Sequence, residues 1–128
     1  MIAWTIEYAL KCDIFDEVVV STDDEEIAKT AIEYGAIVPF LRPKKLADDF
    51  ATTQEVVEHS IKWLSKNNVF FDNVCCLYAT APLVQIKDLK DSLLILENSL
   101  EDIYVFVATS YPFSIFRSIF IDEKGYSS

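Results

Sequence analysis

Two groups of polar side chains in this sequence are placed where they could do chemistry. The first is Tyr78 and Thr80, with Pro82, at the end of NVCCLYATAP (residues 73–82), where six consecutive apolar residues, 74–79, stop abruptly. An apolar run this short with a hard stop predicts a strand buried on both faces. Helical patterns at 53–66 and 87–97 flank it, and helix, strand, helix calls for a parallel sheet with helices packed over it. Ligands of such sheets bind just beyond the carboxyl ends of the strands, so Tyr78, Thr80 and Pro82 are expected at the mouth of a site. The second is Arg42, which follows an extended run at 36–41 and precedes Pro43. Proline biases the residue before it away from helical geometry, so the guanidinium can project from a loop toward a ligand oxygen. The alternative is a solvated arginine paired with nearby acids, and the residues alone leave both open.

Other reactive residue types are accounted for more simply. Asp23, Asp24, Glu25 and Glu26 follow the strand-like VVVST and could form a metal or sugar site. Carboxylates in a first helical turn are also favoured by the helix dipole, and Asp23 with Glu26 three residues on has the spacing of a capping box. His59 falls off the apolar face of its helix and is expected at the surface without a catalytic partner. Cys12, Cys75 and Cys76 are odd in number, and the two neighbours suit neither a disulfide nor a zinc site, so all three are expected to be reduced core residues.

The elements that must position these groups alternate along the chain. Residues 1–11 read as a helix with Ile2, Ile6, Ala9 and Leu10 on one face, and nothing precedes it that could cap it. Residues 15–21 read as a strand, and a helix with Ile27, Ala28, Ala31 and Ile32 buried follows and ends at Gly35. A polar loop leads from Arg42 to a helix starting at Thr52 or Thr53, whose buried face is Val56, Val57, Ser60, Ile61 and Leu64. After the 74–79 strand comes a helix carrying Leu89, Leu93 and Leu96, then a strand at 103–109. Beyond it lie an aromatic stretch at 112–121 and a turn at 122–125 that should open another strand.

At 128 residues, with 52% apolar and 13% aromatic residues, the chain has room for one domain with a substantial core. A net charge of −10 repels polyphosphate backbones and anionic membrane surfaces, which argues against nucleic-acid and membrane partners. No apolar run is long enough to span a bilayer and no signal-peptide pattern is visible, so a cytoplasmic location is expected.

MIAWTIEYAL, VVVSTDDEEIA, VPFLRPKKLADDFATT and YATAPL stand in this order and at these separations. In them the chain resembles the acylneuraminate cytidylyltransferases, which activate nine-carbon keto acid sugars. The Tyr-x-Thr-Ala-Pro form of the strand end, where sialic acid enzymes generally carry Gln-x-Thr-Ser-Pro, points to the pseudaminic acid branch. The resemblance covers nearly all of the chain and implies an α/β, Rossmann-like three-layer nucleotidyltransferase (GT-A-like) fold with a mostly parallel sheet, here one partial domain over residues 1–128. It implies a reaction in which CTP and a nonulosonic acid give a CMP-sugar, for surface glycan or flagellin glycosylation, and pyrophosphate. Nucleotidyl transfer needs reactants positioned and charge neutralised, without a protein nucleophile, so no catalytic residue is assigned. Position by position, Arg42 and Thr53 match residues that contact the cytidine moiety, while Tyr78 and Thr80 match strand-end positions lining the nucleotide and sugar site.

Family members also carry an N-terminal strand with a glycine-rich basic loop, metal-binding aspartates and a dimerisation element. None of these is matched here, so the chain reads as an internal fragment. Mg²⁺ and a homodimer are therefore expected of a complete homologue, and the chain alone is expected to be inactive. An alternative of a different class keeps the fold and drops the catalysis: a non-catalytic remnant or interaction module with an open sheet edge.

Overall fold

The computed structural model of the chain describes residues 1–81, 83–101 and 103–108. Four helices form where the apolar periodicity places them: α1 (Ile2–Cys12), α2 (Glu25–Glu33), α3 (Thr53–Lys66) and α4 (Ile86–Glu97), with a single 3₁₀ turn at Lys44–Leu46. The extent expected for α3 is the one observed. The 112–121 stretch, the turn at 122–125 and Thr109 lie outside the described residues.

The centre of packing is α1. Ile6 on α1 meets Ala31 and Ala36, and Ile2, Val18, Val20 and Val38 close around them. The face of α1 that is buried is Thr5, Ile6, Ala9 and Cys12, so it is rotated from the expected stripe, and Leu10 is largely exposed. On α2 the small residues Ala28 and Ala31 are buried while Ile27 and Ile32 stay exposed, because α1 approaches the alanine side closely.

Capping explains where α2 starts and stops. Asp24, not Asp23, is the N-cap: its Oδ1 accepts from Glu26 N at 2.8 Å and Ile27 N at 2.9 Å. The Asp23–Glu26 capping box expected from spacing is therefore not formed, since one residue further on is a carboxylate that reaches two N–H groups by itself. The end follows a Schellman pattern, with Gly35 N donating to Ile32 O and Ala36 N to Ala31 O. Gly35 has φ +92°, and a Cβ there would stand 3.1 Å from Leu10 Cδ1, so glycine serves both the left-handed turn and the approach of α1.

α2 links two extended segments that run side by side. Val19 pairs with Ile37 and Thr22 with Leu41, both parallel. Val20 N donates to Ile37 O at 2.9 Å, Ile37 N to Val18 O at 2.9 Å and Arg42 N to Thr22 O at 2.8 Å. Between the two bridges one segment has residues 20 and 21 and the other has 38, 39 and 40, the count of a bulge. Pro39 lies inside that bulge, where a residue without an N–H is tolerated.

Residues 74–79 do not form the buried strand expected of them. They carry no strand and no pairing among the described residues, Ala79 already lies in a turn, and Val74, Cys75, Cys76, Tyr78 and Ala79 are exposed. An apolar run specifies burial only if strands lie beside it, and none does among the described residues. Two contacts tie this region to α1: Thr5 Oγ1 donates to Ala79 O at 3.3 Å, and Cys12 Sγ lies 3.8 Å from Ile86 O at the start of α4. Cys12 is buried as expected, whereas Cys75 and Cys76 are exposed as residues, and all three are free. Burial of the thiol end pushes Cys75 up from the usual range, with further upward pushes from Cys76 and then Cys12.

Candidate nucleotide-binding site

Arg42 stands where the two parallel segments end. Its backbone N–H closes the pairing with Thr22, and its Nη2 lies 3.4 Å from Asp23 Oδ1. The acid it meets is not one of its own loop but one nineteen positions earlier, brought over by the parallel pairing. The side chain is 23% exposed, so the pair is partly shielded from water, and Arg42 Nε is buried without a partner among the described residues. Ser21 Oγ, at the end of the neighbouring segment, is buried and unpartnered as well. Two buried polar atoms without a partner among the described residues thus lie where the two paired segments end.

Thr53 and Tyr78 form the second part of the site. Thr53 is the first residue of α3, held there by a capping box in which Thr52 Oγ1 accepts from Glu55 N while Glu55 Oε2 accepts from Thr52 N. These hydrogen bonds from Thr52 keep the Glu55 carboxyl below its ordinary pKa. From this start Thr53 Oγ1 reaches Tyr78 OH at 2.9 Å across twenty-five residues of sequence. Two residues that the resemblance assigns to the site are thus joined by a hydroxyl pair open to solvent. Thr80 sits in the following turn, where Ala81 N donates to Tyr78 O at 3.0 Å, and it is exposed. Pro82 lies outside the described residues.

His59 is not the free surface residue expected from its position on α3. Its ring packs edge-on against Phe40 at 5.0 Å between centroids, Phe40 in turn lies 5.2 Å from Trp63, and His59 Nδ1 is buried without a partner. This cluster fixes α3 against the segment that ends at Arg42. The signal missed in the sequence was the pairing of Phe40 with residues one turn apart on α3, which periodicity on α3 alone does not reveal.

The acidic run Asp23–Glu26 offers no metal site. Asp24 caps α2, Asp23 faces Arg42, and among the described residues no group of three or more His, Cys, Asp or Glu side chains is gathered that could hold an ion. The residues described therefore do not fit Mg²⁺, and no step is assigned to it.

Comparison with known proteins decides the family. Residues 1–119 match the cytidylyltransferase family profile. The chain belongs to the cytidylyltransferase family. It is 44% identical over 126 residues to a pseudaminic acid cytidylyltransferase of Campylobacter jejuni, a match covering 98% of this chain and 53% of that protein. It is 45% identical over 85 residues, 64% of the chain and 35% of the relative, to a CMP-N,N'-diacetyllegionaminic acid synthase of Legionella pneumophila. An N-acylneuraminate cytidylyltransferase of Escherichia coli is 41% identical over 61 residues, which is 48% of this chain and 14% of that protein. The chain spans about half the length of the Campylobacter relatives it matches over nearly its full extent. Membership of the family implies a nucleotidyltransferase fold, and among the described residues no helix is long and apolar enough to cross a membrane.

Proposed function

We propose that a protein carrying this chain transfers CMP from CTP to a nonulosonic acid of the pseudaminic acid type, releasing pyrophosphate. The observation that carries this reading is the 44% identity to the Campylobacter jejuni pseudaminic acid cytidylyltransferase over 98% of the chain. The two parallel bridges support placing the chain in a Rossmann-like three-layer fold with a mostly parallel sheet.

In this reading Arg42 and the Thr53–Tyr78 pair hold the nucleotide. The partly exposed guanidinium of Arg42 offers donors to a cytosine carbonyl or a ribose or phosphate oxygen, while Asp23 holds the fork through Nη2. Tyr78 OH and Thr53 Oγ1 each keep hydrogen-bonding capacity after bonding one another, enough to meet a sugar hydroxyl or a phosphate oxygen. Thr80, exposed in the turn beyond Tyr78, lies on the same rim. These groups bind and orient; the attacking group is the sugar's own anomeric hydroxyl. Mg²⁺ would neutralise the triphosphate in the whole enzyme, with ligands other than the described residues. CTP and the sugar are its substrates, it acts as a cytoplasmic homodimer, and it takes no nucleic acid or membrane as partner. The net charge of −10 supports that last point, and the three free thiols suit a reducing compartment.

The test is a chimera in which this chain replaces the matched 126 residues of the Campylobacter jejuni enzyme. With CTP and Mg²⁺ it should form CMP-pseudaminic acid and pyrophosphate, and prefer pseudaminic over N-acetylneuraminic acid. A folded chimera that yields no CMP-sugar with any nonulosonic acid refutes the assignment.

A further inference from the structure

The two halves of the candidate site stand on different elements, Arg42 at the end of the segment 36–42 and Thr53 at the start of α3. Among the described residues no hydrogen bond or ion pair joins 36–42 to 53–66. What joins them is a cluster of rings. Phe40, in the same segment as Arg42, meets His59 with centroids 5.0 Å apart and planes at 77°, and meets Trp63, one turn further along α3, at 5.2 Å and 44°. Edge-on and tilted pairs at such separations are favoured by the ring quadrupole beyond their burial. The cluster is close to both halves: the chain lets Phe40 lie at most about 7 Å from Arg42, and the helical rise puts His59 about 9 Å from Thr53.

We propose that His59 is a positioning residue for nucleotide binding: through Phe40 it sets where Arg42 stands relative to Thr53 and Tyr78. Each half of the site is held within itself, Arg42 by Asp23 at 3.4 Å and Thr53 by Tyr78 at 2.9 Å. Neither pair fixes its distance from the other. The ring contact does, and where several groups must meet one ligand a misplacement of about 1 Å can cost up to about a hundredfold. His59 Nδ1 is buried without a partner, so what the residue supplies is a flat ring and not a hydrogen bond. This role rests on the reading of Arg42, Thr53 and Tyr78 as nucleotide contacts and names what keeps them in register.

Two measurements test it, and one needs no nucleotide. In the purified chain, NMR reads the Arg42 Nε–H signal and its exchange with water. His59→Ala should shift that signal and speed its exchange, whereas Leu64→Val, which trims a buried side chain of the same helix but removes no ring, should leave it in place. In the chimera with the Campylobacter jejuni enzyme, His59→Ala should raise KM for CTP about tenfold with kcat within about twofold. His59→Phe keeps a ring and should retain the parent KM. Combined with Arg42→Lys, His59→Ala should cost less than the sum of the two changes, because both act through Arg42. Should His59→Ala not fold, Phe40→Leu tests the same contact with the same expectations. An Arg42 signal unmoved by loss of the ring overturns the inference whether or not the chimera makes CMP-sugar. So does a parent KM for CTP in an active His59→Ala chimera, a result that leaves the proposed reaction standing. A folded chimera that is inactive with His59 intact refutes the proposed reaction instead, and the Arg42 signal still decides the positioning.

Discussion

Arg42 shows how much a single side chain inherits from pairing far away in sequence. Its position follows from the Thr22–Leu41 bridge and its tether from Asp23, and its Nε has no hydrogen-bond partner among the described residues. In the chimera with the Campylobacter jejuni enzyme, Arg42→Lys keeps the charge and loses the planar fork. It should weaken CTP binding by about 1–3 kcal/mol, the usual loss for a hydrogen bond to a charged group, as read by titration calorimetry. Thr53→Ala should cost about 1 kcal/mol, and because Thr53 meets Tyr78, the Thr53→Ala, Tyr78→Phe double variant should cost less than the sum of the two singles. Additive losses would mean the hydroxyl pair does not act as a unit. Cys75 supplies a test unrelated to nucleotide. Its thiol is pushed upward by burial, so at pH 8 less of it is thiolate than in an ordinary cysteine, and iodoacetamide should alkylate it more slowly than a fully solvated cysteine. The position of Arg42 beyond a paired segment was readable in part, since proline geometry is a local signal. Asp23 as the partner of Arg42 and Phe40 as the partner of His59 were not, because each depends on contacts between segments about nineteen residues apart.

At the scale of elements, the helices carry their own instructions. α3 begins at a Thr52–Glu55 capping box and α2 ends at a Schellman turn on Gly35, and both signals are a few residues long. Thr52→Ala removes the side-chain acceptor for Glu55 N and should lower stability by about 1 kcal/mol in denaturant titration. The same box gives a pH dependence. Glu55 has its folded pKa depressed, so its contribution is present above the usual carboxylate range and is lost as pH falls through the folded value. The parent and Thr52→Ala melting temperatures should therefore converge on acidification from neutral pH. Gly35→Ala places a Cβ at φ +92° and should cost about 1–2 kcal/mol, mostly from the left-handed backbone, because Leu10 is an exposed side chain that can move aside. Strand burial is legible to a lesser degree. The valines of 18–20 and the apolar run of 74–79 state a preference for extended backbone, but which edge each meets is a property of other segments. Among the described residues, 18–22 have a parallel neighbour and 74–79 have none.

For the molecule as a whole, the question is what its buried surface can sustain. The apolar residues that are buried among the described residues are Ile6, Ala9, Cys12, Ala28, Ala31, Ala36, Leu64 and Leu89, and half of them are alanines. Full burial of an Ile or Leu side chain contributes about 1.5–3 kcal/mol, while ordering each residue's backbone costs about 1–2 kcal/mol, so the core among the described residues is small for the number of residues described. Meanwhile Phe50, Phe70, Leu83, Leu100, Tyr104 and Phe106 face solvent. The net charge of −10 adds self-repulsion to this thin core. Calorimetry of the isolated chain should then give a broad transition with an enthalpy well below the about 0.7 kcal/mol per residue typical of globular domains near 60 °C. Raising the salt from 10 to 300 mM should shift the midpoint upward, since the Debye length shortens from about 30 Å to under 10 Å and the like charges cease to interact across the surface. A sharp two-state melt with full enthalpy and no salt dependence would show that the exposed apolar faces are covered in solution and that the charge is neutralised locally.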